Sequence, residues 1–138
     1  MQDTDLALLV DRFMRRIQFG LQNRAPDFDR KAVGPGGGIV LMTLADTGRI
    51  SLNDLTRRVA RDKSQMTRVI RSLESKGLVR REASQEDGRV TLVSLTPEGD
   101  EIVQELMQTV ADVIGDILEP ISQSEIQTLK GLLARALL

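Results

Sequence analysis

The 138-residue sequence has no cysteine, no histidine, no tryptophan and no tyrosine, and only three phenylalanines and four prolines. Without Cys, no disulfide can staple the fold and no thiol of this chain can sense oxidants. Without His, the commonest general base and the commonest transition-metal ligand are both missing. Three Phe cannot supply a stacking platform for single-stranded nucleic acid. No apolar run approaches the roughly 18 residues that a membrane helix needs. The acidic start MQDTDLALLVDRF lacks the basic opening of a signal peptide. These absences point to a cytoplasmic protein with no membrane partner, no metal and no cofactor.

What is present is a 41% apolar content, enough for a buried core, in a length that suits one domain. The net charge of −1 conceals a segregation. Between Arg57 and Arg81 lie nine basic and two acidic residues, a local charge of +7 against −8 for the remainder. A solvated helix face normally intersperses both signs, and here acids are nearly absent. A phosphate backbone responds to this local field rather than to the whole-chain balance.

Leu6, Leu9, Val10, Phe13, Ile17 and Leu21 recur at helical spacing, with Asp11, Arg12, Arg15 and Arg16 on the other side. This predicts an amphipathic helix over 5–22. Asn23 to Gly38 turns polar and rich in Pro and Gly, and reads as a loop or frayed helix end. Its GPGGG at 34–38 lacks the G-x-x-x-x-G-K-[ST] spacing, the Lys and the preceding strand of a phosphate loop, so it serves to join two helices. A short apolar helix is expected over 39–45, closed by Asp46-Thr47-Gly48. Ser51 then caps a helix with Asp54 in its first turn and Leu52, Leu55 and Val59 inward. After a break at 61–63, a second helix starts near Ser64. Met66, Ile70 and Leu73 face inward with Val69 beside them; Arg68, Arg71, Ser72 and Ser75 point away; Gly77 is the left-handed stop. Two helices joined by a short turn, the second basic outside, fit a helix-turn-helix.

Residues 78–83 and 89–95 read as strands around the turn cluster at 84–88, which makes a hairpin, or wing, directly after the basic helix. Thr96-Pro97-Glu98 opens a long helix carrying Ile102, Val103, Leu106, Val110, Val113, Ile114, Ile117 and Leu118. Pro120 breaks it, and Ser122 or Ser124 caps a last helix with Ile126, Leu129, Leu132, Leu133 and Leu137.

The segment from Ser51 to Gly99 resembles the multiple-antibiotic-resistance-repressor (MarR) family of winged-helix regulators. The match runs through Leu55, Ser64, Thr67, Leu73 and Glu74, then Gly77-Leu78-Val79 and Arg81. It continues as Asp87-x-Arg89, followed at the right interval by Val93, Leu95, Thr96 and Gly99. Thr56 departs from the small Ala usual at its position. The resemblance implies a mainly α fold: a winged helix-turn-helix with a two-stranded β-wing, and a helical dimerisation lobe from the N- and C-terminal helices. A single domain over 1–138 would then hold a winged-helix lobe at 36–96 and a dimerisation lobe at 1–24 and 97–138. The expected function is sequence-specific DNA binding that regulates transcription, as a repressor of a pseudopalindromic operator. The family implies release by a small-molecule effector, often an aromatic or phenolic acid, in a crevice between the lobes.

The second helix of the pair should enter the major groove by its N-terminal turns. Base or near-base contacts are therefore expected of Ser64, Gln65, Thr67 and Arg68, because an Arg fork matches guanine and a Gln amide matches adenine. Lys63, Arg71 and Lys76 suit phosphates, which position without specifying sequence. Ser64 serves equally as a plain N-cap, and Thr67 as a hydroxyl bonded to its own backbone. In the wing, Arg81 and Arg89 are assigned to DNA alongside Arg80, and the resemblance implies a minor-groove contact for Arg89 of the D-x-R motif, which a narrow groove of strongly negative potential would favour. Asp87 either holds Arg81 or Arg89 by a charge-assisted bond or only shapes an Asp-Gly turn. The apolar terminal helices suit a homodimer, which would place two recognition helices about one DNA turn, roughly 34 Å, apart. The acids Glu98, Asp100 and Glu101 are explained by the helix dipole, so no enzyme is expected. The alternative is a ligand-independent DNA-binding or protein-interaction module of the same fold.

Overall fold

The computed structural model describes residues 2–138, with the backbone alone at Phe28. Met1, the first residue of the expected domain, lies outside the described residues. The elements run α1 Thr4–Phe28, α2 Gly34–Thr47, β1 Ile50–Ser51, α3 Leu52–Val59, α4 Lys63–Ser75, β2 Val79–Ala83, β3 Thr91–Leu95, α5 Pro97–Ile117 and α6 Gln123–Ala136. This is the mainly helical winged fold that the sequence leads one to expect. The chain divides into two compact units: Pro26–Gln108, and residues up to Ala25 together with Thr109–Leu138.

The larger unit is built on one apolar cluster. Leu55 of α3 and Met66, Ile70 and Leu73 of α4 are buried with Val40 and Leu41 of α2, Leu78, and Val79 and Val93 of the sheet. These are the inward positions that the helical spacing predicts, and truncating a buried Leu of this kind costs about 2–5 kcal/mol. Ser51 caps α3 by accepting from the Asp54 amide at 3.1 Å. The cap of α4 is Asp62, whose Oδ1 accepts from the Gln65 amide at 2.8 Å, rather than Ser64. Helix α4 ends in a Schellman turn: Gly77 has φ 77°, the Leu78 amide donates to Leu73 O, and the Gly77 amide donates to Glu74 O.

Two expectations are corrected. The glycine-rich stretch is not a loop before a helix at Ile39. Helix α2 begins at Gly34, with Pro35 in its first turn. Glycine is locally a poor helix former, but here packing overrides propensity. A Cβ at Gly37 would meet Val33 at 3.0 Å and Leu73 at 3.4 Å, and one at Gly38 would meet Leu106 at 3.3 Å. Bare backbone lets α2 approach its neighbours. Helix α1 likewise runs on to Phe28, with Pro26 inside it at the cost of one backbone bond.

The hairpin of β2 and β3 is present, and β1, too short to show in the sequence, pairs with β3 to give an antiparallel sheet ordered β1-β3-β2. Its register sets Val79 opposite Leu95 and Arg81 opposite Val93. Because side chains alternate faces, Arg81 shares the face of buried Val79 and Val93, and Arg80 takes the opposite one. The hydroxyl of Thr96 caps α5 by accepting from the Gly99 amide at 3.0 Å, and it donates to Gly77 O at 2.6 Å. Thr56, the departure from the family pattern, satisfies its hydroxyl on Leu52 O at 2.7 Å.

In the other unit, α1 and α5 cross so closely at Gly20 that a Cβ there would lie 2.7 Å from Val113. Arg24 reaches Asp116 at 2.5 Å. Ser122, not Ser124, caps α6, and Glu125 completes a capping box. Helix α6 has no buried residue. Leu6, Leu9, Phe19, Leu132 and Leu133 are all more than half or about half exposed.

Candidate nucleic-acid interface

Helix α4 turns its apolar side to the core, which leaves a continuous exposed stripe of Ser64, Gln65, Arg68, Arg71, Ser72 and Ser75. Lys63, at the first turn, is exposed as well. Thr67 stands at the stripe's edge, its hydroxyl already donating to Lys63 O at 2.9 Å. The packing-hydroxyl role therefore describes its resting state. Ser64, relieved of capping by Asp62, has its hydroxyl on the outer face. Arg68 also walls a groove of about 430 Å³ whose opposite side is the glycine-rich start of α2.

The ten cations from Arg57 to Arg89 sort into two groups by partner. Arg58, Arg61, Lys63, Arg68, Arg71 and Arg80 make no ion pair among the described residues. The others are engaged. Arg57 pairs with Asp54, whose carboxyl is held below its usual range first by that bond and then by Ser51. Lys76, expected at a phosphate, donates to Ala32 O at 2.7 Å. Arg81 donates from Nε and Nη2 to Glu74 Oε1 at 3.1 and 2.9 Å. Of the two partners considered for Asp87, the structure shows Arg89. The Arg89 amide donates to Asp87 Oδ1 at 3.1 Å and its Nε to the same oxygen at 3.2 Å. These bonds, the amide's first, hold the Asp87 carboxyl below its usual range. The turn role holds too, since the Val90 amide closes on Asp87 O at 2.9 Å. The Arg89 side chain remains 92% exposed at the wing tip.

Sequence reasoning brings together Lys63, Ser64, Gln65, Thr67, Arg68 and Arg71 on one helix, and the structure keeps them on or beside one stripe. Lys76 and Arg81 are turned to intramolecular partners. Arg80, expected in the wing, is among the unpaired cations, and Arg58 and Arg61 join it; the signal for these two was the same local excess of positive charge, without a motif to single them out. Among the acids at the start of α5, Glu98 bonds Lys31 at 2.7 Å, which lowers its pKa, the reverse of what a proton donor needs. Among the described residues no group of three or more acids could hold a metal ion, and no helix is long and apolar enough to cross a membrane.

A family model described as the MarR family matches residues 39–91. An HTH-type transcriptional regulator of Bacillus subtilis is 35% identical over 96 residues, 70% of this chain. The match spans only 58% of that relative's length. A probable transcriptional regulator from Pseudomonas aeruginosa is 30% identical, with a TM-score of 0.71 and coverage of 95% of this chain and 96% of that one. Bordetella bronchiseptica BpsR, whose DNA binding is regulated by 6-hydroxynicotinic acid, is 25% identical with a TM-score of 0.73. There the match covers 96% of this chain and 98% of BpsR.

Proposed function

The chain belongs to the MarR family, and on that premise we propose that it is a DNA-binding transcriptional regulator acting as a homodimer on a pseudopalindromic operator, most simply as a repressor. The observation that carries this reading is the set of unpaired cations on and beside α4, in a chain whose net charge is −1. Held away from carboxylates, such cations are available to replace the counterions of a duplex. Arg68 and Gln65, exposed in the N-terminal half of α4, supply the bidentate donors and acceptors for base edges. Lys63 and Arg71, exposed on the same helix, suit phosphates, and Arg89 at the wing tip suits a narrow minor groove. Selection of bound fragments from genomic DNA tests this: enrichment of a two-fold-related sequence supports it, and no enrichment at low salt ends it.

A small-molecule effector, aromatic or phenolic and acidic, is the release signal in this reading. Its support is a groove of about 240 Å³ between α1 and α5, where Arg16, Asn23 and the exposed ring of Phe19 surround Arg24. Asp116 takes Arg24 Nη2, and Nη1 is buried without a hydrogen-bond partner. A carboxylate in the groove would face the guanidinium charge of Arg24, with that of Arg16 beside it. To release DNA, the ligand must bind the DNA-incompetent state more tightly than the competent one. Thermal shift with hydroxylated benzoates, repeated on Arg24→Ala, checks this part separately. A shift that survives in the variant places the ligand elsewhere.

A further inference from the structure

Glu74 is the only acid on α4, the helix proposed above to lie in the field of the phosphates. A bare carboxylate there would oppose binding. Its surroundings show what it does instead. The sheet register places Arg81 on the inward face of β2, with buried Val79 and Val93. From that face its guanidinium reaches back across the Gly77 corner and sets two donors on Glu74 Oε1. The side chains of Arg81 and Glu74 are only 35% and 37% exposed. Such a fork is partly shielded from salt and fixed in direction, unlike a fully solvated pair. The Glu74 carboxyl is accordingly held below its usual range, chiefly by the Arg81 bond.

The bridge spans the one place where the groove helix hands over to the wing. Residues 74 and 81 flank the Schellman turn, and the Leu78 amide is pinned to Leu73 O at 3.0 Å. The backbone corner fixes the position of Leu78, β3 pairs with the strand beyond it, and the Glu74–Arg81 fork ties that strand back to α4. We infer that Glu74 is a positioning residue for DNA reading: it withdraws Arg81 from the duplex and fixes the angle between recognition helix and wing, so that Arg80 and Arg89 reach DNA and Arg81 does not. The inference rests on the DNA-binding reading. It gives Arg81 a different role from its neighbour Arg80, although the sequence presents them as equivalent.

The test uses the full chain with two duplexes of equal length, one recovered from a randomised library by the wild-type protein and one a shuffled version. Affinities are measured over a salt series for the wild type, E74Q, R81Q and the exchanged pair E74R/R81E. The inference expects both single variants to lower the ratio of selected to shuffled binding by about tenfold. It also expects R81Q to keep the wild-type salt slope, because no phosphate contact is lost, and the exchanged pair to recover most of the ratio. Plain electrostatics expects something else: E74Q, which removes a negative charge, should bind both duplexes more tightly with the ratio intact. That result, or a slope reduced by about one phosphate contact in R81Q, overturns the inference. If a single variant does not fold, recovery or failure in the exchanged pair still decides. If the wild type itself shows no salt-dependent binding to either duplex, the DNA reading falls first and takes the inference with it.

Discussion

Gly99 lies against the carbonyl of Leu78 so closely that a Cβ at position 99 would stand 2.1 Å from the oxygen. That oxygen cannot retreat. It accepts from the Thr96 amide at 3.0 Å, while the Leu78 amide is tied to Leu73 O. The Thr-x-x-Gly pattern at 96–99 is thereby explained: Thr96 ties Gly77 O to the first turn of α5, and Gly99 lets that turn approach. Gly99→Ala should destabilise the protein by about 3 kcal/mol, the upper end for overpacking a site that cannot relax. Urea unfolding reads this directly, and an unchanged midpoint would contradict it.

Arg68 and Arg71 differ by less than one turn of α4, yet they should fail differently. Arg68→Ala should relax preference at one base position by about 1–3 kcal/mol with a modest change in non-specific binding. Arg71→Ala should weaken selected and shuffled duplexes alike and reduce the salt slope by about one. Titrations at several salt concentrations separate the two patterns. Identical behaviour of the two variants would remove the distinction between base and phosphate contacts.

The helix-turn-helix and the wing were legible in the sequence because their signals are local. Met66, Ile70 and Leu73 repeat at helical spacing, Gly77 stops the helix, and Asp87-Gly88 turns the hairpin. What was not legible depends on contacts across the chain. The start of α2 at Gly34 follows from Leu73 and Leu106 crowding its glycines, and a local reading sees only helix breakers there. The partner of Arg81 follows from sheet register and from how β2 meets α4. Two adjacent arginines look alike until period-two alternation is anchored by a buried residue, here Val79. The bond from Lys76 to Ala32 O is hidden for the same reason, since the two lie 44 residues apart in sequence.

The acid side of the pH profile should be set by carboxylates. Arg81 lowers the Glu74 pKa in the folded state, so the bridge contributes stability above the ordinary Glu pKa, and this is lost as pH falls through the folded value. The stability difference between wild type and Glu74→Gln should therefore be constant from about pH 6 to 8 and shrink below about pH 4. With no His in the chain, affinity for DNA should be flat between about pH 6 and 8. A step in either quantity near pH 6.5 would refute this.

Helix α6 buries nothing, although Leu132 and Leu133 line one side of it, and α1 leaves Leu6, Leu9 and Phe19 open. A 14-residue helix with only Ile126 and Leu129 half-buried is marginal in water, because nucleation outweighs the few bonds it closes. Its persistence calls for a partner surface, and a two-fold copy of the same faces is self-complementary. Leu133→Glu, which places a charge in that surface, should convert the proposed dimer to monomer in sedimentation velocity at micromolar concentration. The same variant should lose about 10²-fold in affinity for a two-half-site duplex, since linkage of two recognition helices supplies that factor. It should lose little for a duplex carrying one half-site. A wild-type monomer, or equal losses on both duplexes, would show that the exposed leucines serve something other than pairing.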